Sequence, residues 1–135
     1  MTVIDTGAAV DLLLRTGVAA EVHEIVGHSA PVTAPDVLVF ETIAVLRRLV
    51  LRGDVTQERG AAALEDLDDV QLELFSSMPL RHRAWEMRDN LTAADALFVA
   101  LAEQLSEPLA TKDRALAAAA RHHAAIETVE LGAET

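Results

Sequence analysis

Short apolar runs alternate along this chain with stretches of helical periodicity. Residues 2–4 are a β-like run that ends at Asp5. Helical spacing marks residues 8–14 and 18–26, split at Thr16-Gly17. Residues 31–34 suit a short strand, and Pro35 suits the first turn of a long helix through Leu51, with Gly53 as its stop. Thr56 opens another helix that runs to about Leu67, and residues 70–75 alternate like a strand. Residues 79–88 and 91–105 read as two helices interrupted at Asp89-Asn90. Residues 108–111 form a short strand, 114–124 an alanine-rich helix and 126–131 a last strand, with a polar tail from about 132. Strands separated by helices predict an α/β fold: one domain over 1–135, its short parallel central sheet flanked by helices on both faces. In such sheets function collects beyond the carboxyl ends of the strands.

Composition narrows the chemistry. With 135 residues, 51% of them hydrophobic, the chain has enough apolar material for a real core, which excludes intrinsic disorder. The absence of cysteine excludes a disulfide scaffold and a cysteine zinc site. The longest uncharged stretch, 25–35, is too short to span a membrane, and the first residues carry an early acid and no basic segment, so no membrane partner and a cytoplasmic location are expected. Acidic residues outnumber basic ones 22 to 11, for a net charge of −11. A surface of that sign does not grip duplex nucleic acid as a whole; any such contact is local and mediated by a cation.

Four acids stand in unusual places. Asp5 and Asp113 each follow a predicted strand directly, which puts both at one edge of a parallel sheet; an ordinary helix cap is the competing reading for each. Glu41 has Val37, Leu38, Ala44 and Val45 at helical spacing, so it points inward. A buried ion pair with Arg47, Arg48 or Arg52 would also account for it. Asp95 lies among Leu91, Phe98, Val99 and Ala102, yet Thr92-Ala93-Ala94-Asp95 also reads as a capping box. If the four converge, their mutual repulsion raises their pKa values or recruits a cation. An all-oxygen donor set favours Mg²⁺ or Mn²⁺ over zinc and suits phosphate chemistry.

The order Val3-Ile4-Asp5-Thr6, then Ala34-Pro35-Asp36-Val37-Leu38 leading to Glu41, then residues 88–102 around Asp95, then Pro108-Leu109-Ala110-Thr111-Lys112-Asp113, resembles PIN-domain proteins over essentially the whole chain. More narrowly it resembles the VapC toxins of bacterial toxin–antitoxin pairs, and residues 88–102 are the most specific part. The resemblance implies a metal-dependent endoribonuclease that cleaves single-stranded RNA with a metal-activated water. Asp5 and Asp95 are then the principal Mg²⁺ ligands, with Glu41 and Asp113 completing the site directly or through water. Thr111 is implied as a hydroxyl that orients the site, and Asn90 and Thr92 as supports of the loop before Asp95. A homodimer and a cognate antitoxin are implied as partners. Two positions depart from the pattern: Gly7 stands where a small hydroxyl residue is common, and Ala94 where an aromatic residue is frequent.

Arg81, Arg83, Arg88, Lys112 and Arg114 flank the acids and suit either phosphates or local ion pairs. His122 and His123 are read as surface residues pointing apart, and Ser29, Ser76 and Ser77 have no base at motif spacing. Trp85, the single tryptophan, belongs in the core or a dimer interface. The alternatives are a receiver-like signalling domain, which needs a phosphorylatable Asp after a middle strand, and a catalytically inactive PIN scaffold.

Overall fold

The computed structural model describes residues 1–28 and 31–132; Ser29 and the tail beyond 132 lie outside that range. Among the described residues the order is β1 (Thr2–Ile4), α1 (Thr6–Leu14), α2 (Ala19–His28), β2 (Val32–Pro35), α3 (Val37–Leu51), α4 (Gln57–Asp66), β3 (Leu72–Phe75), α5 (Arg81–Glu86), α6 (Ala93–Leu105), β4 (Leu109–Thr111), α7 (Arg114–Ala124) and β5 (Thr128–Glu130). The five strands form one parallel sheet in the order β3-β2-β1-β4-β5. Right-handed crossovers then put the helices of the β1-to-β3 half on one face and those leading to β4 and β5 on the other. The packing agrees: α1 touches α2, α3 and α4, whereas α6 packs on β1, β2 and β4 together with α5 and α7.

The core is where the apolar runs demand. Val3, Ile4, Val32, Ala34, Leu109 and Ala110 of the sheet are buried against Leu38, Phe98, Leu101 and Leu116. A smaller cluster, Val10, Leu13, Leu46 and Ala63, ties α1 to α3 and α4. Helix starts follow their caps. Asp5, Thr56, Thr92 and Asp113 each accept a backbone N–H three residues on, from Ala8, Arg59, Asp95 and Leu116 respectively. Arg15, Ser106 and Ala125 close α1, α6 and α7 in the left-handed region.

Several expectations change. Pro35 ends β2 instead of opening α3, paired in register with Phe75. Its missing N–H is harmless there, because β1 pairs with β2 only at Val32 and Thr33 and has left the sheet by Pro35. Helix α1 begins at Thr6, two residues early, because Asp5 caps it. The predicted helix over 79–88 divides into a 3₁₀ turn at Met78–Leu80 and the short α5. Trp85 is 67% exposed and is not a core residue. The His122 and His123 rings do not point apart; they meet edge to face at 4.6 Å.

Phe98 is the largest of the fully buried side chains, on the face of α6 that covers the sheet. Phe98→Ala is expected to lower unfolding stability by about 3–5 kcal/mol in denaturant titration. A loss below about 1 kcal/mol would show that this layer is not the core.

Candidate metal centre

The chain reverses its direction of travel across the sheet between β1 and β4, so the crevice of this fold opens beyond the carboxyl ends of those two strands. Asp5 is the residue after β1 and Asp113 stands two residues after β4. Glu41 arrives on α3, which starts at the same edge after β2, and Asp95 on the first turn of α6. Four elements distant in sequence thus deliver one carboxylate each to this edge.

Asp5 is the anchored member. It is 8% exposed, its Oδ1 accepts the Ala8 N–H at 3.0 Å, and its Oδ2 accepts the Thr111 hydroxyl. Thr111, fully buried at the end of β4, in turn accepts the Asp113 N–H at 3.0 Å, so one hydroxyl links the two strand-end acids. Burial pushes the Asp5 carboxyl above the usual aspartate range. The bonds from Thr111 and Ala8 oppose that shift, the Asp113 charge adds to it, and the Lys112 charge offsets part of it. Asp95 is half-buried and likewise raised, by burial first. A Thr92 hydrogen bond pulls it down, and the charges of Asp113, Glu41 and Asp5 push it up. The other three acids therefore all act on Asp95, which sets the four within electrostatic reach of one another.

Reach is not ligation. Among the described residues no three His, Asp or Glu side chains are gathered closely enough to hold an ion between them. The cavities of about 310 Å³ beside Glu127 and about 290 Å³ beside Trp85 also include none of the four acids. The donor set nonetheless fits a hard divalent cation. It is all oxygen and mutually repulsive. Each carboxylate offers about four lone-pair sites, and the protein's own donors leave some open on every one.

Glu41 resolves the choice left open by the sequence. It is half-buried, and its Oε1 accepts the Thr6 hydroxyl at 2.6 Å. Among the described residues it makes no ion pair, and Arg52 is paired with Asp54 at 3.1 Å. Thr6 was not singled out from the sequence; its place directly after Asp5 was the available signal. The capping reading of Thr92 also holds, since Asp95 N–H donates to its hydroxyl at 3.2 Å. Asn90 is exposed, and its backbone N–H donates to Met87 C=O at 3.0 Å. Of the flanking cations, Arg83 is tied to Glu103 at 2.7 and 3.1 Å and to the His123 carbonyl at 3.0 Å. Arg81 and Arg88 turn to the Met78 and Trp85 carbonyls, and Arg88 also lies over the Trp85 ring at 4.8 Å.

The comparison with protein families agrees with this geometry: the PIN domain model matches residues 2–122. The chain belongs to the PIN-domain family. Its relatives include Ribonuclease VapC12 of Mycobacterium tuberculosis, 34% identical with 96% of this chain and 99% of that protein covered. Ribonuclease VapC1 of the same organism is 38% identical over 87% of this chain and 89% of its own. Among solved structures the PIN domain is similar to PAE2754 from Pyrobaculum aerophilum, with TM-score 0.69 and 20% identity over 87% of this chain and 83% of that one. FitAcB from Neisseria gonorrhoeae gives TM-score 0.66 at 18% identity, covering 96% of each chain. The family match sets the receiver-like alternative aside.

Because the folded state holds Asp95 above the unfolded pKa, it binds protons more readily than the unfolded chain. Stability therefore falls as pH rises from the usual aspartate range through the raised value, and stays lower above it. In EDTA near neutral pH, Asp95→Asn is expected to melt higher than the parent PIN domain, with the gain shrinking as pH is lowered. A variant that melts below the parent at neutral pH would contradict this electrostatic account.

Proposed function

We propose that this PIN domain is a Mg²⁺-dependent endoribonuclease, the toxin of a toxin–antitoxin pair. The observation that carries the reading is that four elements distant in sequence bring Asp5, Glu41, Asp95 and Asp113 to the β1–β4 edge, in a chain 34–38% identical to VapC ribonucleases. Asp5 and Asp95 hold the ion, and Glu41 and Asp113 complete the site directly or through water. A divalent cation held by these residues would supply polarisation of the phosphoryl oxygens and an activated water for hydrolysis, in which a P–O bond to water forms as the P–O bond to the leaving ribose oxygen breaks; Mg²⁺ or Mn²⁺ would serve.

The chain's own residues set the geometry. Thr111 and the Ala8 N–H fix the two Asp5 oxygens so that the carboxylate cannot swing away. Thr6 fixes Glu41 in the same manner. Thr92 sets the start of α6 and with it the position of Asp95. Without a cation the four charges repel an incoming phosphate, so substrate binding and metal binding coincide. RNA is the substrate by analogy with the VapC ribonucleases. An antitoxin segment occupies the acidic edge in the inhibited state. A homodimer is the assembly this reading carries, with the exposed Phe40, Leu51, Met78 and Trp85 as apolar side chains available to an interface. No helix among the described residues is long and apolar enough to cross a membrane, which is consistent with action in the cytoplasm.

The test is cleavage of single-stranded RNA in Mg²⁺. Activity is expected to vanish in EDTA and in Asp5→Ala or Asp95→Ala. Millimolar Mg²⁺ is expected to raise the melting temperature of the parent but not of those variants. Thr111→Val is expected to reduce activity by about 10- to 100-fold. Metal-dependent cleavage that survives Asp5→Ala would refute the ligand roles.

A further inference from the structure

Lys112 stands on the short link between Thr111 at the end of β4 and Asp113. Its aliphatic stem runs across the first turn of α1. Lys112 Cε lies 3.3 Å from the point where a Cβ on Gly7 would stand, and Asp5 Oδ1 lies 3.8 Å from that same point. The glycine that departs from the family pattern thus opens the track the lysine occupies beside Asp5. The ammonium ends on Asp11 Oδ2 at 2.8 Å.

The two ends of this pair differ. The Asp11 side chain is 11% exposed and fixed at the turn before α2: Oδ2 also accepts the Val18 N–H at 3.2 Å, and Oδ1 the Thr16 hydroxyl at 3.4 Å. The Lys112 side chain is 45% exposed. A buried, rigid anchor therefore holds a solvent-facing cation. An ammonium carries three donors, so Lys112 can keep Asp11 and still donate elsewhere. A chain with net charge −11 that draws a polyanion toward four carboxylates has use for such a fixed donor, and phosphate contacts are what set the register of a nucleic-acid strand. Of the other cations flanking the acids, Arg83, Arg81 and Arg88 are engaged by Glu103 or by carbonyls, and Arg114 is exposed at the start of α7.

We propose that Lys112, laid across Gly7 and held by Asp11, donates to a phosphate oxygen of the RNA strand beside the cleavage centre, with Asp11 as the positioning residue. The inference rests on the ribonuclease reading above.

The full chain is compared with K112M, K112R and D11N, using single-stranded RNA in Mg²⁺ over a range of salt. K112M is expected to raise KM about tenfold with a much smaller change in kcat, and to flatten the logarithmic salt dependence by about 0.7, the loss of one phosphate contact. K112R is expected to restore most of both. D11N loses the charge that holds Lys112, so its KM is expected to rise severalfold at a temperature where the variant remains folded. A parent-like KM and salt slope in K112M would overturn the proposal, as would a loss that K112R does not recover, which marks mere bracing of the loop. Fluorescence anisotropy on labelled RNA with a non-hydrolysable backbone, in Mg²⁺ and with the four acids intact, reads Lys112 without turnover. There a tenfold weaker affinity in K112M upholds it and equal affinity overturns it. A parent chain that cleaves no RNA overturns the ribonuclease reading while leaving this binding comparison decisive for Lys112.

Discussion

Repulsion among carboxylates at one edge of a parallel sheet is the constraint around which this molecule is organised. Like charges within electrostatic reach of one another cost stability, the more so when burial strips them of water. A domain that brings four of them into range gives up stability that the same residues would not cost elsewhere. The surrounding hydrogen bonds make sense against that cost. Thr111, Ala8 and Thr6 donate to Asp5 and Glu41, and Leu116 donates to Asp113. These donors lower the local negative potential and hold each carboxylate in place. In the proposed function a divalent cation offsets the remainder.

The fold supplies this arrangement almost automatically. A parallel sheet that reverses direction at β1 and β4 leaves two strand ends side by side, and α3 and α6 both begin at that same edge. The residues that cap α1 and α7 are Asp5 and Asp113 themselves. Each acid therefore serves its helix through one oxygen while lone pairs stay open for another partner. Capping and chemistry, which compete as explanations on paper, are compatible in space.

Much of this was legible along the chain, for identifiable reasons. The strands at Thr2–Ile4 and Leu109–Thr111 are short apolar runs closed by a polar residue, and α7 is bounded by its cap and its left-handed end. The inward spacing of Asp95 marked a carboxylate among apolar neighbours. Other features depend on pairing and were hidden. Pro35 looks like a helix opener until Phe75 lies beside it and β1 is seen to stop short. The Thr6–Glu41 bond joins residues 35 apart, and Lys112–Asp11 joins residues 101 apart; no local pattern encodes either. Trp85 looks like core by residue type alone, yet on the six-residue α5 its ring stays exposed beneath the Arg88 guanidinium.

The central claim is that a divalent cation makes this cluster tolerable, with Asp5 and Asp95 as its principal protein ligands. The most direct measurement is the anomalous scattering of Mn²⁺ in crystals of the protein grown with that ion. The account predicts a strong peak at coordination distance from an oxygen of each of these two aspartates, with the Thr111 hydroxyl still bonded to Asp5. A peak bound elsewhere, or well-ordered carboxylates with no peak among them at saturating Mn²⁺, would contradict it.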